Sequence, residues 1–290
     1  MRLYYYKDPR GNFGDDLNLW LWPRLLGDFL DTEHPYYAFS DDSTTDPSET
    51  LFVGLGSLLN HHMPKAPHKA VVGAGVAYGD APRIDDRWTL YAVRGPRSAE
   101  ILGLDKDRGI GDSGILVRAV ELPATEKRFP VSFFSYHENA ELVDWDSACR
   151  STGIHHIDPA GSVEGILAEI RQTELLLTEA MHGAIVADAL RVPWIPVRVF
   201  DKLNDFKWHD WCESLRMRYQ PHDLPRTGAW LRNKKGIKGK LLRTLRPRQA
   251  CKEMRRLARE AEPMLSEDAV IDEATTRLLD QLEQMRQDFR

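Results

Sequence analysis

The strongest constraint in this chain is an alternation of strand-like and helix-like stretches that runs, halts at a linker and runs again. Residues 3–6 read as a strand, and apolar residues recur at helical spacing over 17–30. Residues 51–53 and 70–72 read as short buried strands, each ending in Gly-x-Gly. A strand over 89–93 leads into a helix over 96–102, with Pro96 in its first turn and Gly103 as its stop. A second short helix is expected near 115–120. Residues 121–127 are polar, carry Pro123 and read as a linker. The pattern then restarts: strand 131–134, helix 142–150, strand 155–157, helix 163–172, strand 174–177, a helix opening at His182, and strand 192–197. Ser162 is a good N-cap for 163–172, with Glu164 in the first turn.

Alternation at this spacing predicts βαβ units and parallel sheets. The expected fold class is α/β. Two Rossmann-like domains, 1–122 and 128–224, place their parallel sheets face to face across a cleft, and 225–290 form a basic, then amphipathic, helical extension. In open parallel sheets, ligands bind beyond the carboxyl ends of the strands, so the cleft is where chemistry is expected.

The 290 residues suffice for two domains with their own cores. No apolar run reaches the ~20 residues that cross a bilayer. The opening Met1 to Asp8 has no apolar core of a secretory signal, so a cytoplasmic protein is expected. Cys149, Cys212 and Cys251 are odd in number and far apart in sequence, which argues against a disulfide framework or a zinc site. The net charge of -5 is mild, but its distribution is uneven. Between Arg226 and Arg256, Glu253 is the only acidic residue among many lysines and arginines, interleaved with Trp230, Leu231, Ile237, Leu241, Leu242 and Leu245. Such a stretch suits the anionic surface of a membrane, to which the protein would attach peripherally. Electrostatic binding of nucleic acid, or a solvated helix packed on the domains, would use the same composition.

Three stretches carry candidate chemistry. In Lys7 to Asp16, Asp8-Pro9 and Gly11-Asn12 form turns, Gly14 permits unusual backbone, and Asp15 or Asp16 would cap the next helix. Arg94 follows a strand and precedes a helix, where an arginine would point into the cleft and offer a planar fork to phosphate or carboxylate. His182 stands at a strand-to-helix turn, beside backbone N–H groups with no carbonyl partner, where an anion is readily held. Gly183 and Ala184 permit close approach there, either to a ligand or to the sheet behind. His137 also follows a strand. Neither Gly54-x-Gly56 nor Gly73-x-Gly75 completes a dinucleotide fingerprint, and no phosphate-loop lysine motif occurs. The histidines lack local metal-ligand spacing, so no metal is expected.

With Gly11-Asn-Phe-Gly-Asp-Asp16, Val93-Arg-Gly-Pro-Arg-Ser98 and Ala180-Met-His-Gly-Ala-Ile185, the sequence resembles the polysaccharide pyruvyltransferase family, its exopolysaccharide (succinoglycan-type) branch in particular. Lys207 to Trp211 also looks like the family. Gly95 replaces an acidic residue of its pattern, and Ser113 a proline. The resemblance covers residues 1–216 and implies a fold like the two-domain GT-B glycosyltransferases. It implies phosphoenolpyruvate as donor substrate, with no further cofactor, and a carbohydrate acceptor carried on a lipid at the inner membrane face. It implies no nucleic-acid partner. The product would be a cyclic pyruvate ketal. His182 would be the acid or the group that screens phosphate, with Arg94 beside it; His137, Asp15 or Asp112 would be the base. Gly11, Asn12, Gly14, Asp16, Gly183, Ala184 and Asp112 would contact the donor. A nucleotide-sugar glycosyltransferase, or a non-catalytic scaffold of polysaccharide assembly, are the alternatives.

Overall fold

The computed structural model describes residues 1–38, 47–200, 203–227 and 236–290, with backbone alone at 236–240 and 244. The first lobe holds β1 (Arg2–Tyr5), α1 (Phe13–Leu26), β2 (Asp31–Tyr37), β3 (Leu51–Val53), β4 (Lys69–Val72), β5 (Trp88–Ala92) and α2 (Pro96–Ile101). A 3-10 turn over Ser113–Ala119 closes it. The five strands are all parallel, in the order β2-β1-β3-β4-β5. The second lobe holds β6 (Phe129–Phe134), α3 (His137–Ala140), α4 (Trp145–Arg150), β7 (His155–Ile157), α5 (Val163–Arg171), β8 (Thr173–Thr178), α6 (Met181–Ala189), β9 (Trp194–Arg198), α7 (Asp205–Ser214) and β10 (His222–Asp223). Its order is β10-β9-β8-β6-β7, again parallel. Renumbered within each lobe, both sheets run 2-1-3-4-5. This doubly wound order reverses direction beside the first strand.

Two elements of the first lobe differ from expectation. Helix α1 starts at Phe13, because the cap is Asn12, whose Oδ1 accepts the Gly14 N–H, rather than Asp15 or Asp16. It ends at Gly27, whose φ of 53° only glycine adopts without strain. The edge strand β2 has no apolar alternation to announce it. Glu33 and His34 are exposed, and Pro35 is tolerated because edge strands have spare N–H positions.

The expected C-terminal extension is not separate from the lobes. Helix α8 (Gly236–Glu260) buries Ala250, Cys251, Met254 and Leu257 against Phe133, Trp145 and Ile195 of the second lobe. Helix α9 (Asp268–Asp288) then returns to the first lobe, burying Ile271, Leu278, Leu282 and Met285 in its core. Tyr91 Oη donates to Asp288 at 2.7 Å, and Arg286 donates to the Leu25 carbonyl at 2.7 Å. The thiols of Cys149 and Cys251, far apart in sequence, meet at 3.4 Å between α4 and α8. Of the basic stretch, residues 228–235 lie outside the described residues.

Helix α7 joins the lobes. Trp208 and Trp211 pack with Trp194 and Tyr219 on the second lobe. Asp210 faces the other way, into α2. Its Oδ1 accepts the Ser98 N–H at 2.9 Å; its Oδ2 accepts the Ser98 hydroxyl at 2.5 Å and Arg94 Nε at 3.0 Å. Both charged side chains are fully buried. The contact is close enough that a Cβ on Gly95 would lie 2.0 Å from the Asp210 carbonyl, which accounts for glycine where the family pattern has an acidic residue. Removing one partner of a buried ion pair leaves an uncompensated charge, a loss of ~3–5 kcal/mol. Asp210→Ala is expected to destabilise the chain by that amount in urea unfolding.

Candidate active site

Both sheets reverse order beside their first strands, and both reversals open onto one cavity of about 440 Å³. From the first lobe, the loop after β1 brings Tyr6, Asp8, Arg10, Asn12, Gly14 and Asp15, and the turn after β3 brings Gly56, Ser57 and Leu58. From the second, the turn after β6 brings Tyr136, His137 and Glu138, and the turn after β8 brings Ala180, Met181 and His182. Lys207 of α7 and Tyr78 close one side, with Lys207 Nζ 3.4 Å from the phenol oxygen. The volume lies within the ~300–1,000 Å³ common for small-molecule sites.

His182 is the second residue of α6. No side chain caps that helix at Ala180, and Ala180, Met181 and His182 line the cavity, so the positive pole of the helix lies at the cavity wall. The imidazole packs against the start of α1, with Nδ1 nearest to it. A Cβ on Gly14 would sit 2.0 Å from His182 Nδ1, so glycine at 14 is what lets the two lobes meet here. Nε2 has no hydrogen-bond partner among the described residues and stands 3.9 Å from Asp112 Oδ1. Burial first, then Lys207 and Arg94, push the His182 pKa down to about 3, so the ring is neutral. Asp112 is fully buried, accepts the Gly114 N–H at 2.9 Å, and leaves Oδ2 without a partner. Burial raises its pKa to about 6. Asp15 accepts from Asn12 Nδ2 at 2.6 Å and is pushed up to about 7, chiefly by burial. His182 and Asp112 thus stand together, and Asp15 lines the same cavity within reach of the charges of Asp8 and Lys207.

Across the cleft, His137 Nε2 lies 3.3 Å from Asp8 Oδ2. Arg10 grips that carboxylate with Nε at 2.8 Å and Nη2 at 2.7 Å and holds its pKa below the usual carboxylate range. Burial lowers the His137 pKa to about 4.

The cavity thus brings together Asn12, Gly14, Asp15, His137 and His182 of the expected set. Others lie behind it. Arg94 does not point into the cleft: Nη1 donates to Ser57 Oγ at 2.7 Å, Nη2 to the Val76 carbonyl at 2.6 Å, and Nε to Asp210. Its fork is committed to protein, and it reaches the cavity through Ser57. Asp112 sits beneath His182, and Asp16 turns back to accept the Asn12 N–H at 3.4 Å. Gly11 supplies a turn at φ 84°, packed near Ala160. Gly183 faces the sheet, where a Cβ would crowd Thr178 Oγ1 and Phe134, and Ala184 is fully buried. Ser113, in place of the family proline, donates to the Val72 carbonyl at 2.6 Å. His155 and His156 pair with Glu169 and Asp146 away from the cavity. Among the described residues no cluster of three or more His, Cys, Asp or Glu is placed to hold a metal.

Sequence reasoning missed Asp8, Arg10, Lys207 and Glu179. Glu179 is fully buried and accepts the N–H groups of Val199 and Phe200 with Oε1, and Asn139 Nδ2 with Oε2, so it fixes the wall that carries His137. A carboxylate two residues after the apolar run 175–177 was the available signal.

The family model of polysaccharide pyruvyl transferase matches residues 5–201, which takes in every cavity residue except Lys207. The chain belongs to this family. This pyruvyltransferase is 40 % identical over 229 residues to the succinoglycan biosynthesis protein ExoV of Rhizobium meliloti (strain 1021), across 78 % of its own chain and 68 % of ExoV. Among solved structures, that of CalG4, the calicheamicin glycosyltransferase, is similar over 75 % of the chain at 14 % identity and a TM-score of 0.26. The pyruvyltransferase spans about half of CalG4 (48 %), a likeness too slight to carry an argument.

The raised pKa of Asp112 has a measurable consequence. A carboxyl that ionises near 3.8 when unfolded and near 6 when folded favours the fold fully below pH 3.8 and loses that contribution as pH rises through 6. Keeping it ionised at pH 8 costs about 3 kcal/mol. Asp112→Asn retains the acceptor for Gly114 and removes that cost. Its melting temperature is expected to exceed the parent's at pH 8, with the gap closing toward pH 4.

Proposed function

We propose that the enzyme transfers the carboxyvinyl carbon of phosphoenolpyruvate to a pair of hydroxyls on an exopolysaccharide sugar, closing a pyruvate ketal and releasing phosphate. The reading rests above all on the end of the cavity at His182. There an uncapped helix N-terminus, Lys207 and a neutral imidazole face a space suited to phosphate and carboxylate. The cavity is larger than a three-carbon donor needs, which leaves room for a sugar ring.

Proton demand fits the groups present. Phosphoenolpyruvate must gain a proton at its methylene carbon before the carbon bearing phosphate accepts an oxygen. Asp15, with a pKa near 7, is protonated in about half the molecules at neutral pH, and a bound anion raises that share. It is the acid in this reading. The donor's charges also offset Lys207 and Arg94, whose fields add to burial in holding the His182 pKa down, so His182 gains proton affinity as the donor enters and then screens the departing phosphate. His137 is the base toward the acceptor. Each acid–base group of this kind contributes typically ~10²–10⁴-fold.

Phosphoenolpyruvate is expected to raise the melting temperature of the parent by several degrees at saturation, and Lys207→Met to lose at least half of that shift. No shift at millimolar donor, or a product that gains a whole sugar instead of a carboxylate, would refute the donor assignment.

The acceptor is proposed to be lipid-linked and met at a membrane surface. No helix among the described residues is long and apolar enough to cross a membrane. Helix α8 instead presents Leu241, Leu245, Arg248, Lys252, Arg255 and Arg259 to solvent. Successive members are three or four residues apart, which lines them along one face. Two leucines and four cations on one outward stripe suit an anionic leaflet, where each cation adds ~1 kcal/mol. The parent is expected to sediment with phosphatidylglycerol-containing vesicles and not with pure phosphatidylcholine, and Arg248→Glu with Lys252→Glu to weaken this at least tenfold.

A further inference from the structure

The sugar end of the cavity carries an arrangement that ion pairing alone does not explain. Asp8 follows the first strand of the first lobe, and His137 follows the first strand of the second. The two side chains meet across the cleft at 3.3 Å, both lining the cavity. The Asp8 carboxylate is nearly inaccessible, with 2 % of its side chain exposed. Arg10 occupies both of its oxygens, and the Arg10 N–H adds a third bond at 3.0 Å. The carboxylate is therefore ionised and fixed in place. An ionised carboxylate facing Nε2 of a neutral imidazole selects the tautomer with its hydrogen on Nε2. The lone pair is then on Nδ1. The Tyr136 ring, 4.4 Å from the imidazole, and the partner contacts of Glu179 behind it hold the ring's wall.

We propose that Asp8 is a positioning residue for the acceptor half of the reaction. From the first lobe it orients the His137 imidazole so that Nδ1 takes the proton of the attacking sugar hydroxyl, and it stabilises the imidazolium that results. This rests on the ketal-forming reading above and assigns the sugar to the Asp8–Arg10 end. The protons balance. The first hydroxyl gives its proton to His137 as its oxygen bonds to the donor carbon, and the methylene becomes methyl with the proton of Asp15. As the second hydroxyl closes the ring, its proton leaves on inorganic phosphate while the carbon–oxygen bond to phosphate breaks. His137 then returns its proton through water to Asp15. No oxidant or reductant is needed.

The test is a double-mutant cycle on Asp8→Asn and His137→Gln. It follows phosphate release from phosphoenolpyruvate, supported by lipid-linked oligosaccharides extracted from the cells that make the protein. Each single variant is expected to lose at least tenfold in kcat while keeping the donor-induced rise in melting temperature. The double variant is expected to lose no more than His137→Gln alone, because Asp8 acts only through that ring. Additive losses, or Asp8→Asn at the parent rate, would overturn the proposal and leave Asp8 a staple of its loop. Asp8→Glu keeps the charge for Arg10 but shifts the carboxylate by one methylene. If Asp8→Asn does not fold, this variant decides: a stable protein with kcat reduced several-fold supports positioning, and parental kcat refutes it. Failure of the parent to release phosphate or bind phosphoenolpyruvate would instead strike the underlying reading, before any variant is made.

Discussion

The buried pair of Arg94 and Asp210 is the interaction on which this architecture turns. One partner follows β5 of the first lobe, and the other lies on a helix anchored by tryptophans to the second. A salt bridge with no water around it gives little net stability over a well-packed apolar pair, but it is unforgiving of misplacement. Every donor atom of Arg94 has a fixed acceptor, one of them the cavity residue Ser57. The distance between the lobes and the position of the cavity floor are therefore set by the same guanidinium. That accounts for an arginine in a motif of a transferase without its touching the space where substrate fits.

The second organising feature is the repetition of one strand order in both lobes. A 2-1-3-4-5 sheet has one place where consecutive turns diverge and leave a crevice. Facing two such sheets brings four turns together, and most ionisable groups of the cavity sit on them, with Lys207 added from α7 and Tyr78 from beyond β4. Each histidine comes from the second lobe, and each carboxylate near it from the first. The proton-exchanging pairs exist only when the lobes are in register. Gly14 enforces this at the closest point, since nothing larger leaves room for the His182 ring.

Much of this was legible in the sequence, and the failures have particular causes. Buried strands such as Leu51–Val53 and Lys69–Val72 announced themselves because apolar or β-branched runs between turn formers have few other uses. The edge strand β2 did not, because an edge exposed to water carries no pattern. His182 was found because a histidine at a strand-to-helix turn is conspicuous. Arg94 was found for the right location and the wrong direction. Its destination depends on Asp210, which lies more than a hundred residues away, and no local pattern encodes that pairing. Asp8 was read as a turn former, which it is; that its carboxylate would meet a histidine from the other lobe needed the topology. Residues 225–290 were read as one extension, basic and then amphipathic, whereas α8 packs on the second lobe and α9 on the first.

The return of α9 to the first lobe has a mechanical consequence. Two bodies tied by a single connector can swing freely in any direction. Here the chain passes between the bodies once near residue 125 and again between α8 and α9, so they are tied at two separated points. The buried Arg94–Asp210 pair is a further, non-covalent fastening between the same bodies, so any opening of the lobes has to break that pair first.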